Sequence, residues 1–324
     1  MKEISERERD LILALVGEGR TQLPEGVLEK DLVVTAALRR LKEFHDPAKL
    51  FFCGGTCLSK AHRVVRRMSE DLDFKIQLSP SLTPSKMRRD LSLLKNNLAE
   101  HLREGGFDLP QEGVKSRNNN KKICMRLVYR SRFPAVVSLR SELQVQLVEA
   151  APRLSTMELP IDSLVGEMSG TAENRAIWSC LGLEETFIEK IVAFLRRSLR
   201  GTRGRIEERS FDLVRHLYDV VMIQRHHNIG QNRNLTILFR EVVQADAREF
   251  ANQDAEFARD PMKALRKAWR HLEEDPGKVL EVGYQQFARD MVYGEVPAFA
   301  EARGIFGVVA KQLLDSAPAN SGSW

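Results

Sequence analysis

One stretch of this 324-residue chain restricts its fold more than any other. The apolar run Leu50-Phe51-Phe52-Cys53 leads into Gly54-Gly55-Thr56, the segment CLSKAHRVV follows, and Asp71-Leu72-Asp73 lies in the alternating segment SEDLDFKIQL (69–78). A short apolar run, a glycine turn, a helical segment and an alternating segment read as strand, turn, helix, strand. Either half alone is ordinary: glycine pairs occur in many loops, and two acids on a strand are usually solvated. The two halves in this order are much rarer. Aspartates two apart on a strand share a face, and their mutual repulsion calls for a cation between them. Mg²⁺ takes a few carboxylates and completes its shell with water and phosphate oxygens. Glycine lets backbone approach a phosphate closely, the start of a helix favours an anion, and Thr56 offers a hydroxyl. The pattern therefore points to phosphoryl or nucleotidyl transfer, with metal clamping the attacking and leaving oxygens.

The rest of the chain divides by composition. Helical periodicity covers residues 5–17, with a capping-box start at Ser5, and residues 26–45. A polar helix is expected over 85–104, and strands over 124–130 and 136–149. From about residue 184 onward the pattern is almost wholly helical. The expected class is α+β: a sheet domain over residues 1–165, then a mainly helical domain over residues 166–324.

FFCGGTCLSKAHRVVRRMSEDLDF resembles the AbiEii/AbiGii-type nucleotidyltransferase toxins of type IV toxin–antitoxin systems. Their pattern is a hydrophobic strand, GGT-x-L, then R-x-S-x-D-[LI]-D-F, filled here by Arg67, Ser69, Asp71, Asp73 and Phe74. Glu29-Lys30-Asp31 upstream, Lys190-Ile191-Val192-Ala193 and the stretch from Asp212 through His216-Leu217-Tyr218-Asp219 also resemble family segments. The resemblance runs from about residue 25 to 225; its first motif is specific and the later ones are looser. It implies a DNA-polymerase-β-like nucleotidyltransferase sheet domain. The cofactor it implies is Mg²⁺ or Mn²⁺ on Asp71 and Asp73, with a nucleoside triphosphate as co-substrate. Gly54, Gly55, Thr56, Ser59, Arg67 and Ser69 would surround the phosphates. Lys190 would balance triphosphate charge, and Asp212 would hold Lys190 or act in the site directly. The fold normally adds a third carboxylate on a neighbouring strand. Glu142 is the candidate, as ligand or general base, with Glu149 as the fallback; a solvated sheet face is the competing reading of Glu142. The implied acceptor is RNA, with the tRNA 3′ end as the expected target, and the implied partner is a cognate antitoxin. A phosphate on Ser69 would set negative charge beside the metal site and switch the enzyme off.

Composition narrows the alternatives. The net charge of +5 permits a polyanionic partner without demanding one. Two basic runs, Lys115-Arg117-Lys121-Lys122 and Arg196-Arg197-Arg200-Arg203-Arg205, could grip an RNA backbone. No apolar stretch reaches membrane-spanning length. The opening MKEISERERD has no basic segment leading into an apolar run, so a cytoplasmic chain without a signal peptide is expected. The four cysteines have no zinc spacing. The rival readings are a nucleotide- or RNA-binding protein with a degenerate site, and nucleotidylation of a protein or small-molecule hydroxyl.

Overall fold

A computed structural model describes residues 1–136, 138–171, 175–199, 210–232, 234–274 and 278–316, without the side chains of 210–212, 231 and 278. The chain forms two compact units, Met1–Gly182 and Leu183–Trp324. The 165/166 join expected from composition falls inside a short helix of the first unit, and one more strand, which links the strand before that helix to the rest of the sheet, follows it.

The first unit opens with helices α1 (Glu6–Gly17) and α2 (Glu25–Lys42). Ser5 caps α1 through the capping box read from sequence. Strand β1 (Lys49–Cys53) runs into α3 (Gly54–Lys60), then β2 (Asp71–Gln77) and α4 (Pro84–Glu104). Strands β3 (Val114–Arg117), β4 (Lys122–Val128) and β5 (Glu142–Glu149) follow, then β6 (Met157–Ile161), α5 (Leu164–Ser169) and β7 (Ala176–Cys180). The strands form one seven-stranded sheet in the order β3-β4-β5-β2-β1-β7-β6. The pairs β2–β5 and β1–β7 are parallel and the others antiparallel.

Alternation gives the sheet two unlike faces. Leu72, Phe74, Ile76, Ile123, Met125, Leu127, Leu143, Val145 and Leu147 are buried on one. Phe52, Phe74 and Trp178 pack there with ring centroids 5.0–6.2 Å apart, and Lys42 at the end of α2 lies over the Trp178 ring. The other face carries Asp71, Asp73, Glu142, Gln144, Gln146, Cys124 and Arg126, all half-buried. The β3–β4 turn is Asn118-Asn119-Asn120, three successive left-handed residues at φ 51°, 55° and 65°. Asparagine tolerates that region better than most side chains.

The second unit is helical: α6 (Leu183–Ser198), α7 (Ser210–His227), α8 (Leu235–Glu249), α9 (Ala255–Arg259), α10 (Pro261–Glu274), α11 (Lys278–Met291) and α12 (Phe299–Ser316). Its core includes Phe194 against Phe306 and Tyr218 against Phe287.

Candidate active site

The glycine turn and the aspartate strand meet directly. Cys53 pairs with Asp73 across β1 and β2, so Gly54 and Gly55 pass the head of β2. Gly54 has φ +77°, and a methyl group there would stand 2.2 Å from Asp73 Oδ2. Backbone angle and close approach both demand glycine. A methyl on Gly55 would stand 2.4 Å from the guanidinium of Arg67 and 3.0 Å from the Ser69 hydroxyl. Gly54→Ala is therefore expected to cost about 1–2 kcal/mol through the left-handed backbone alone. Because it pushes on the Asp73 carboxylate, nucleotide transfer should fall about a hundredfold, the usual result of a 1 Å misplacement. A thermal melt and a labelled-nucleotide assay check the two parts separately.

Several residues expected around the phosphates brace this turn instead. Thr56 is fully buried, and its hydroxyl donates to the backbone carbonyl of Asp71 and lies 2.9 Å from the Ser69 hydroxyl. Its hydrogen is committed to fixing the start of β2. Ser59 donates to the Thr56 carbonyl at 3.2 Å. Arg67, 3% exposed, donates to the Met68 carbonyl and lies against Gly55. Ser69 precedes β2 and is 8% exposed. A phosphate on Ser69 would have to displace the Thr56 contact, so the closed site does not offer that hydroxyl to a modifying enzyme.

The sequence singled out Glu29-Lys30-Asp31 without a role, and this stretch holds the assembly in place. Glu29, Lys30 and Asp31, consecutive on α2, are all buried. Successive helical residues point about 100° apart, so such a helix is enclosed on most sides. Glu29 accepts from the Ser131 hydroxyl and the Arg132 backbone N–H. Lys30 donates to the carbonyls of Arg140 (2.7 Å) and Glu142 (2.9 Å) and pairs with Glu70 at 3.3 Å. Asp31 accepts from Lys60 at 2.6 Å and from the Leu164 N–H at 2.7 Å. Lys60, in α3, also donates to Thr35 and to the Asp162 carbonyl. Each lysine thus has three acceptors for its three N–H donors. Burial lowers the Lys30 ammonium pKa and raises that of the Glu70 carboxyl, with each partner's charge opposing the shift in the other. One helix therefore fixes α3 and the starts of β2 and β5.

Parallel pairing sets Asp71 beside Gln144 and Asp73 beside Gln146. The positions directly across from the two acids are thus glutamines. Glu142 lies on the same face, two residues earlier on β5, with its carboxylate 3.7 Å from Arg126. Glu149 pairs with Ile76, on the opposite face, and forms an ion pair with Lys121. Among the described residues no three acidic, histidine or cysteine side chains are grouped as a metal cluster. The chemistry of the donor set still fits a divalent cation, since two carboxylates on one face are what Mg²⁺ commonly takes from protein. Cys124 shares the face. Burial pushes its thiol pKa up, and the field of Asp71 adds to the shift, which disfavours the thiolate a nucleophile needs. Asp71 itself meets an arginine: Arg140 Nη1 lies 2.5 Å from Asp71 Oδ1.

The family whose sequence profile matches residues 36–304 is the nucleotidyl transferase AbiEii toxin of type IV toxin–antitoxin systems. The chain belongs to this family. Its members are nucleotidyltransferase toxins, with a nucleoside triphosphate as substrate and a cognate antitoxin as partner. Among solved structures, the nucleotidyltransferase toxin MenT4 (Rv2826c) of Mycobacterium tuberculosis H37Rv is similar at 17% identity, covering 93% of this chain and 98% of that one, with a TM-score of 0.37. No curated protein sequence matches. No described helix is long and apolar enough to cross a membrane.

The remaining residues singled out in this AbiEii chain lie in the second unit. Lys190 is 7% exposed, among the buried apolar residues of α6. It pairs at 2.6 Å with Asp219, a fully buried residue of α7. The HLYD stretch thus supplies an ion-pair partner through its last residue. The Asp212 side chain lies outside the described residues, as do Arg200, Arg203 and Arg205. Arg196 pairs with Asp246 at 2.9 Å and stacks on Phe250.

Proposed function

We propose that this toxin transfers a nucleoside monophosphate from a metal-bound triphosphate onto an RNA acceptor, with the tRNA 3′ end as the target and arrest of translation as the result. The observation that carries the reading is the carboxylate pair Asp71 and Asp73 on one strand face, with the Gly54 backbone pressed against Asp73. Asp71 and Asp73 hold the divalent cation, Mg²⁺ or Mn²⁺. When bound, that cation screens the triphosphate and lowers the barrier to attack on the α-phosphorus. Gly54 and Gly55 expose backbone to the phosphates, and Thr56, Ser59, Arg67 and Ser69 keep the turn rigid. Lys190, paired with the buried Asp219, ties α6 to α7 within the second unit. Glu142 serves at the mouth of the site as a base for the acceptor hydroxyl. The free cysteines suit a reducing cytoplasm.

RNA is favoured over a polycationic small molecule by the charge of the site face. Sheet register carries the row of Asp73 through Gln146 and Cys124 to Lys115, and the neighbouring row of Lys75 through Val148 and Lys122 to Arg117. At about 4.8 Å per strand, Lys115 lies roughly 14 Å from Asp73 across the sheet. Arg126 stands in the row of Asp71. A cationic track leading away from two carboxylates suits a phosphate backbone whose end reaches them.

The test is transfer of label from each of four α-³²P nucleoside triphosphates, with Mg²⁺, onto total bacterial RNA. A labelled tRNA-sized band is expected. The double variant Lys115→Glu/Arg117→Glu should raise the KM for RNA, leave that for nucleotide unchanged, and flatten the salt dependence of RNA binding. Label on protein, with none on RNA, would overturn the acceptor and keep the transfer. Absence of transfer to anything would favour a degenerate binding protein.

A further inference from the structure

The contact between Arg140 and Asp71 is at odds with a simple metal site. Arg140 Nη1 stands 2.5 Å from Asp71 Oδ1, on an oxygen a divalent cation would want. Two like charges cannot share that oxygen at close range in a partly buried setting. The arginine is also placed with care. Its backbone N–H donates to Glu70 at 3.1 Å, its carbonyl accepts from Lys30 at 2.7 Å, and both partners are buried. The root of the side chain is fixed, while the side chain itself is 40% exposed. It is a long arm on a rigid mount, with its Nε 4.0 Å from Glu70 Oε1 as well.

We propose that Arg140 is a displaceable counter-ion, holding Asp71 in the metal-free enzyme and releasing it when the divalent cation arrives with the nucleotide. The proposal rests on the reading of Asp71 as a metal ligand. Arriving alone, the cation must break the ion pair and leave a guanidinium stranded beside a like charge. Arriving with a triphosphate, it brings phosphate oxygens to which the released guanidinium can turn, and the planar fork of arginine suits them. The residue therefore opposes idle metal and favours the metal–nucleotide complex. This is a coupling between two ligands, for which factors of about 5–150 are usual.

The test begins with Mn²⁺ alone, measured by loss of the free-ion electron paramagnetic resonance signal. Arg140→Gln keeps both backbone hydrogen bonds and should bind Mn²⁺ about tenfold more tightly than wild type. Arg140→Lys keeps the charge and should stay near wild type. In steady-state transfer, Arg140→Gln should lower the Mn²⁺ concentration for half-maximal rate and raise the KM for nucleotide. Opposite shifts of this kind are not what a merely structural residue produces. Asp71→Asn, measured in parallel, should lose most Mn²⁺ binding. If Asp71→Asn loses binding while Arg140→Gln binds no more tightly than wild type, the counter-ion proposal falls and the metal site stands. Equal tightening in Arg140→Lys and Arg140→Gln also overturns it. If Asp71→Asn binds Mn²⁺ as wild type does, the metal reading of Asp71 falls and the proposal falls with it.

Discussion

Asp71→Asn is expected to reduce nucleotide transfer on the order of a thousandfold while the protein stays folded. The size follows from the role assigned to the carboxylate. Metal stabilisation of transition-state charge is worth several kcal/mol, and about 4 kcal/mol is a thousandfold in rate. Asparagine keeps the shape of the side chain and an acceptor oxygen but removes the charge that holds a divalent cation. The stability cost is small, because the ion pair with Arg140 is partly solvated, with side chains 19% and 40% exposed, and such pairs contribute about 1 kcal/mol or less. Labelled-nucleotide transfer and a thermal melt of the same preparation separate the two effects. A variant that transfers at near the wild-type rate would remove Asp71 from the chemistry.

Lys30→Met should have the largest effect on stability. The lysine and Glu70 have side chains only 1% and 6% exposed. Breaking a buried pair by removing one partner costs about 3–5 kcal/mol, since a charge remains in a poor medium. Here two backbone carbonyls also lose their donor. The sign of the pH dependence follows from Glu70, whose pKa is already raised by burial and opposed by Lys30. A carboxyl with a raised folded-state pKa contributes most to stability below its unfolded value and loses that contribution as pH rises through the folded value. Without Lys30 the folded value moves higher still. The deficit of Lys30→Met should therefore narrow as pH is lowered into the carboxylate range. Urea unfolding followed by hydrogen exchange in β2 and β5 reads this in the first unit alone. A uniform deficit at every pH would mean that the charge of Glu70 is not what Lys30 compensates.

These two predictions differ in how visible their residues are in sequence. Asp71 and Asp73 could be set on one strand face beside the glycine turn because a two-residue strand period and a glycine pair are local signals. Lys30 could be picked out by resemblance but not given a role, since its acceptors lie 110 and 112 residues away. No local pattern encodes a partner at that distance. Glu142 shows a second limit. Alternation correctly assigned its face, but a face is not a register, and pairing with β2 put Gln144 and Gln146 across from the aspartates. Lys190 shows a third. One charged residue amid Phe187, Ile188 and Ile191 looks like the polar side of a helix until Asp219 is seen beside it.

The three buried charges of α2 also constrain the order of assembly. Their partners lie at residues 60, 70, 131–132, 140–142 and 164, so sequence separations reach 133. Contacts this distant in sequence slow folding, because the intervening loops must close first. On a ribosome the helix is made early yet cannot settle until residue 164 has emerged, and the glycine turn and aspartate strand depend on that helix. The supports of the glycine turn and aspartate strand are therefore complete only once about half of the chain has been made.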